Sequence, residues 1–207
     1  MTPAARLQAA IEVLDAFQAG EPAERALTNW ARTHRFAGSG DRAAIRDLVY
    51  HALRRLRSLA VRGGGADGRS LMLGWCHEQG LDPATLFGVD RHAPAALTPD
   101  EAARAGAVPG GADLLDLPDW LMAPISEALG ADLPAVAEAL RDRAPLFGRV
   151  NTLKTDADAA QAALAAEGVE TVLIPTVKNA LKVTGNAIKT KLILEYIDQR
   201  QPSRQLL

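Results

Sequence analysis

The hydrophobic pattern changes period once, near residue 146, and that change constrains the fold more than any other feature of the chain. Before it, apolar side chains recur at helical spacing, three or four residues apart. After it come LFGRVNTLKT, an Ala-rich helical run DADAAQAALAAEG, and two strand-like runs, VETVLIP and ALKVTG. Period-2 runs flanking one helix predict a β-α-β-β layer. The expectation is a mainly α chain: a helical bundle over residues 1–143, a small partial α+β subdomain over 146–187, and a tail over 188–207. The tail contains no Ala at all, in a chain otherwise rich in it. Its KLILEYI segment is apolar enough to pack as a helix or an extra strand.

Within the bundle, local signals place the helices. Thr2 and Pro3 suit an N-cap and first turn, and Leu7, Ala10, Ile11 and Leu14 form a stripe that ends at Gly20. A second helix from Pro22 puts Ala23, Leu27 and Trp30 on one side. The third and strongest, DRAAIRDLVYHALRRLRSL, reads as one helix over 41–59 capped by Ser39 or Asp41. VRGGGADG is a connector. Shorter helices follow in SLMLGWCHEQG, in LDPATLFG and TPDEAARAG with Asp82 and Thr98 as caps, and in LPDWLMAPISEALG and DLPAVAEALRDR, and their short loops imply compact packing; Asp156 caps the later Ala-rich helix.

Composition removes several function classes. With 48% apolar residues the chain buries a real core. No apolar run nears the roughly 20 residues of a bilayer span, so no membrane role is expected. The N-terminus is amphipathic and carries acids, unlike a signal or transit peptide. Cys76 is the single cysteine, which excludes an internal disulfide and any multi-cysteine zinc site. These features favour a cytoplasmic location. The net charge of -2 hides a segregation. Residues 1–62 carry 10 Arg against 6 acids, residues 63–144 carry 5 Arg against 13 acids, and the remainder carries 8 Lys and Arg against 6 acids. Basic ends around an acidic middle predict either two surfaces with different partners or ordinary surface variation.

On the third helix, Arg42, Arg46, Tyr50, Arg54 and Arg57 follow one another at spacings of four, four, four and three. Four guanidinium groups and one ring on a single stripe suit phosphate tracking, because the planar fork of Arg grips phosphates and stacks on bases. The alternative is a solvated face with some Arg paired to Asp41 or Asp47.

The segment GSGDRAAIRDLVYHALRRLRSL resembles the third helix of the RNA-binding domain of Sun/Fmu (RsmB-like) proteins. Those enzymes use S-adenosylmethionine to methylate C5 of cytosine in ribosomal RNA. The likeness also covers RLQAAIEVLDAFQAGEPAERAL, LDLPDWL and RVNTLKTDADAAQAALAAEGVE, so it runs from residue 1 to about 187. One departure is His51, where the family usually has Gly. The resemblance implies a NusB-like fold for the helical domain and an RNA-binding role for the Arg stripe and for Arg6. It implies that RVNTLKT is the first strand of the small subdomain, with Arg149, Asn151 and Lys154 as RNA contacts; for Asn151 a turn or strand-edge hydrogen bond is the alternative. The implied partners are ribosomal RNA and, for the acidic middle, a ribosomal or transcription protein.

The family's chemistry is not in these residues. Methylating cytosine at C5 needs a cysteine thiolate to add at C6. The family's D-A-P-C and T-C runs and its D-x-C-A-A-P-G-G-K-T loop have no counterpart here. Pro109-Gly110-Gly111 follows no D-x-C strand, and Cys76 in LGWCHEQ reads as a buried apolar side chain. His34, His51 and His92 have no acidic or cysteine partner at useful spacing, and Asp113, Asp116 and Asp119 read as a solvated loop with helix caps. The expectation is therefore an RNA-recognising portion, truncated or frame-shifted near residue 187, with no cofactor bound by the chain itself. A standalone RNA- or protein-binding module is the alternative.

Overall fold

The computed structural model describes residues 1–184, so the tail and the last residues of the expected subdomain lie outside the described residues. The chain divides into two compact units, Met1–Asp142 and Arg143–Leu207. The first is helical: α1 Pro3–Gln18, α2 Ala23–Thr33, α3 Ser39–Leu53, α4 Leu56–Gly63, α5 Gly68–Glu78, α6 Pro99–Arg104, α7 Asp119–Leu129 and α8 Leu133–Arg141. Helix α1 packs against α2, α3 and α5 and supplies the centre of the core. Leu7, Leu14, Ile45, Val49, Leu59, Leu71 and Met72 are fully buried there. Each such side chain contributes about 1.5–3 kcal/mol of burial free energy. A second, smaller cluster of Leu117, Leu133 and Ala137, with Leu121, Met122 and Ile125 of α7 packed against it, holds α7 to α8.

The caps follow the sequence closely. Thr2 Oγ1 accepts the Ala5 N–H at 3.1 Å, and Asp82 and Thr98 cap the turn at Pro83–Thr85 and helix α6 in the same way. The third helix differs in two respects. Its N-cap is Gly38, not Ser39 or Asp41; Asp41 reaches back from the first turn to accept the Gly38 N–H at 3.2 Å. It also does not run to residue 59. The chain breaks at Arg55 (φ -133°, ψ 31°) and restarts as α4. A break frees backbone donors that must find partners. Here Asp116, from far along the chain, supplies one: its carboxylate accepts the Ser58 N–H and the Ser58 hydroxyl, both at 2.8 Å.

In helix α6, Glu101 accepts from Arg69 Nε at 2.5 Å and completes a capping box with Thr98. The Arg69 guanidinium, followed by the Thr98 N–H, holds the Glu101 carboxyl down at about 2. A depressed acid pKa gives stability that is complete above the unfolded value of 4.5 and is lost as pH falls towards 2. Glu101→Gln is therefore expected to flatten the acid limb of the stability profile below pH 4.5, read as the urea midpoint against pH. An unchanged slope there would remove Glu101 from the acid sensitivity.

The second unit contains β1 Phe147–Arg149, α9 Ala157–Ala166, β2 Thr171–Leu173 and β3 Ala180–Val183. The sheet order is β1-β3-β2, antiparallel throughout, so the β-α-β-β reading holds. Asp156 Oδ1 caps α9 through the Ala159 N–H at 2.8 Å. Ala160 and Leu164 of α9 bury Val150, Val169, Leu181 and Val183. The strand, however, lies earlier than RVNTLKT: only Arg149 of that stretch is in β1. Asn151 ends it. Its Oδ1 accepts the Leu153 N–H at 3.1 Å, and its carbonyl accepts from Lys154 and Thr155. This local side-chain bond competes with the sheet ladder and turns the chain.

Candidate functional site

The break between α3 and α4 divides the arginine stripe. Arg42 and Arg46 lie one turn apart on the outer side of α3, exposed, with no side-chain ion pair or hydrogen bond among the described residues. They edge a groove between α2 and α3 of about 170 Å³, floored by Leu27, Ala31 and Ile45. Tyr50 belongs to the same helix, but its hydroxyl donates to Glu24 Oε1 at 2.8 Å. That bond, then burial, raises the phenol pKa above its usual value.

Arg54 and Arg57 do something else. Arg54 Nε donates to the Arg141 carbonyl at 3.1 Å. Arg57 donates to Asp113 at 3.2 Å, to the Leu117 carbonyl at 3.2 Å and to Asp119. Asp119 first, and Asp113 second, raise its pKa further. These two arginines fasten the segment before α7 and the end of α8 to the α3–α4 corner. The five residues thus do not form one continuous surface. Arg6 is likewise engaged, with Asp41 at 2.9 Å. The Met1 ammonium and then Arg6 hold the Asp41 carboxyl below its usual range.

The charge segregation finds part of its explanation here. Acids of the middle segment neutralise arginines of the first segment: Asp113 and Asp119 pair with Arg57, and Glu78 and Asp142 with Arg55. The acid run is therefore only partly solvated: Asp119 stays exposed while it pairs, but Asp116 is only 1% exposed at its side chain. His51 also has an acidic partner after all: its Nε2 is 2.5 Å from Glu78 Oε2. Burial would raise the Glu78 pKa, but the His51 hydrogen bond and the nearby His51 and Arg55 charges outweigh it and lower the value. Spacing along the chain did not show this pair because its members are 27 residues apart.

In the second unit, Arg149 and Asn151 line an open bowl of about 390 Å³ with Leu153, Lys178 and Asn179. Lys154 is exposed in the adjacent turn. Sequence reasoning missed Lys178 and Asn179. The signal was the strand order: antiparallel pairing of β3 with β1 sets the start of β3 beside the end of β1, where the Val150 N–H meets the Asn179 carbonyl at 2.8 Å. Cys76 is fully buried, and burial pushes its thiol up to about 12. It is an apolar core group, not a nucleophile.

Residues 117–188 match the family model for the ferredoxin-like domain of Methyltr_RsmF/B-like proteins. Residues 117–188 are thus similar to the ferredoxin-like domain of that family. The RsmF/B-like match begins at Leu117, ahead of α7, so it takes in both α7 and α8 as well as the sheet. The crystal structure of PH0851 has the same overall fold: the two share a TM-score of 0.55 at 16% sequence identity, over 92% of this chain and 51% of that one. The chain thus spans about half the length of PH0851. No curated protein matches it significantly.

Proposed function

We propose that this chain recognises RNA, ribosomal RNA in particular, on behalf of an RsmF/B-like methyltransferase. The observation that carries this reading is the family match over residues 117–188, joined to two exposed arginines on α3 that hold no ion pair among the described residues. The helical unit, read as NusB-like, presents Arg42 and Arg46 to the phosphate backbone in the cytoplasm. Methyl transfer to C5 of cytosine requires a thiolate and a site for S-adenosylmethionine. Neither fits the described residues. Cys76 is buried, and Pro109-Gly110-Gly111 follows no strand and leads into the helical turn at Gly111–Leu115. The described residues supply recognition rather than transfer.

The test is affinity for a ribosomal RNA fragment as a function of salt. Each arginine that neutralises a phosphate adds about one to the slope of log affinity against log salt. The double variant Arg42→Ala, Arg46→Ala is expected to reduce that slope by about two and to weaken binding roughly tenfold or more at low salt. Its thermal melt should match the parent, since neither side chain holds an ion pair or hydrogen bond among the described residues. A parent that binds no RNA, or a variant with an unchanged slope, refutes the assignment.

A further inference from the structure

Among the described residues of its unit, the small sheet has one face covered by α9 and one face open. Side chains alternate along a strand, so the register assigns the faces. Leu181 and Val183 face α9 and are buried. Phe147, Lys182 and Val172 face the other way and form one row across β1, β3 and β2, with Phe147 opposite Lys182 and Val172 opposite Lys182. Arg149 stands two residues beyond Phe147, on the same face, opposite Ala180. Phe147 is 56% exposed and Val172 44%. Single exposed apolar side chains are ordinary. This ring is distinguished by its neighbours, an ammonium across the strand and a guanidinium about 7 Å along it.

We propose that this open face is a stacking platform for an unpaired RNA base. The base lies against the Phe147 ring, with Val172 extending the apolar floor, and Lys182 and Arg149 meet the flanking phosphates. Every base has a π-face, so such a platform accepts single strands without reading sequence. It rejects duplexes, whose bases are already stacked. A second copy of the chain is the competing occupant, and the patch suits it poorly. One ring and one valine fall far below the ~800 Å² per partner of a stable interface, and a symmetric contact would bring like charges together.

The inference rests on the RNA-binding reading, and the experiment separates the two. Binding is measured for the full chain with a single-stranded RNA carrying a fluorescent purine analogue and with the same strand in a duplex. Phe147→Ala is expected to weaken single-strand binding roughly tenfold and to abolish the quench of the analogue, while leaving duplex binding unchanged. Phe147→Trp restores both, and Lys182→Gln lowers the salt slope by about one. Sedimentation of the parent and Phe147→Ala is compared in parallel. If Arg42→Ala, Arg46→Ala weakens binding but Phe147→Ala does not, the platform fails and the RNA reading survives. If the parent binds no RNA, both fail. Equal losses on single strand and duplex, or a Phe147-dependent dimer, also overturn the platform.

Discussion

Gly74→Ala is expected to lower the stability of the helical unit by about 3 kcal/mol or more, at the upper end of what overpacking costs. Helices α4 and α5 cross so closely that a Cβ on Gly74 would stand 2.1 Å from the Leu59 carbonyl oxygen. On the facing helix, a Cβ on Gly63 would stand 1.8 Å from the Ser70 carbonyl oxygen. Both obstacles are backbone, so no rotamer change relieves them. The helices must separate, and separation loosens Leu59, Leu71 and Met72, which are fully buried. Helix propensity alone predicts the opposite sign, because alanine exceeds glycine by ~1 kcal/mol within a helix. The measurement is a urea titration of Gly74→Ala, Gly63→Ala and the double variant. The double variant should cost less than the sum of the singles, since one separation relieves both clashes. A stabilised or unchanged Gly74→Ala would show that the crossing is looser than drawn.

The legible and illegible parts of this molecule divide by range. Caps were readable because Thr2, Asp82, Thr98 and Asp156 bond to amides two or three residues away. The change of period was readable because alternation is local, and it yielded the β-α-β-β unit with its helix on one face. The α3–α4 break was not readable. DRAAIRDLVYHALRRLRSL keeps helical spacing straight through Arg55, and the residue that stabilises the break, Asp116, is 58 positions beyond Ser58. The same distance hid the division of the arginine stripe. Arg54 and Arg57 look like Arg42 and Arg46 until α7 and α8 are brought alongside. In RVNTLKT the strand propensity of Val150 and Thr152 pointed one way, and the Asn151 side chain bonded its own backbone and turned the chain the other. The open sheet face needed the register, since nothing local sets Phe147 beside Lys182.

Asp116→Ala should be the most damaging single change at the corner where the acidic middle meets the basic helices, with a cost of about 3–5 kcal/mol. The carboxylate is nearly inaccessible and serves three groups: the Ser58 N–H, the Ser58 hydroxyl, and Arg141, whose Nη1 is 3.5 Å away. Its removal orphans the amide that the helix break exposed and leaves the Arg141 cation short of a partner. Arg141 then keeps only the exposed Glu138 as an acidic partner among the described residues, and its Nε already lacks a hydrogen bond. Asp116 also sits at φ 53°, a left-handed conformation that alanine tolerates poorly. Asp116→Asn separates these contributions. Asparagine accepts that backbone and its carbonyl still takes the Ser58 N–H, but its NH2 replaces the oxygen that accepts the Ser58 hydroxyl and faces Arg141, so that hydrogen bond and the charge are lost and a cost of about 1–3 kcal/mol is expected. Chemical denaturation gives both values, and amide exchange locates the damage. Ser58 and Leu59 should lose protection in Asp116→Ala, while α1 and α2 keep theirs. If Asp116→Ala costs less than about 1 kcal/mol, the break is held by packing of Leu59 rather than by the buried carboxylate.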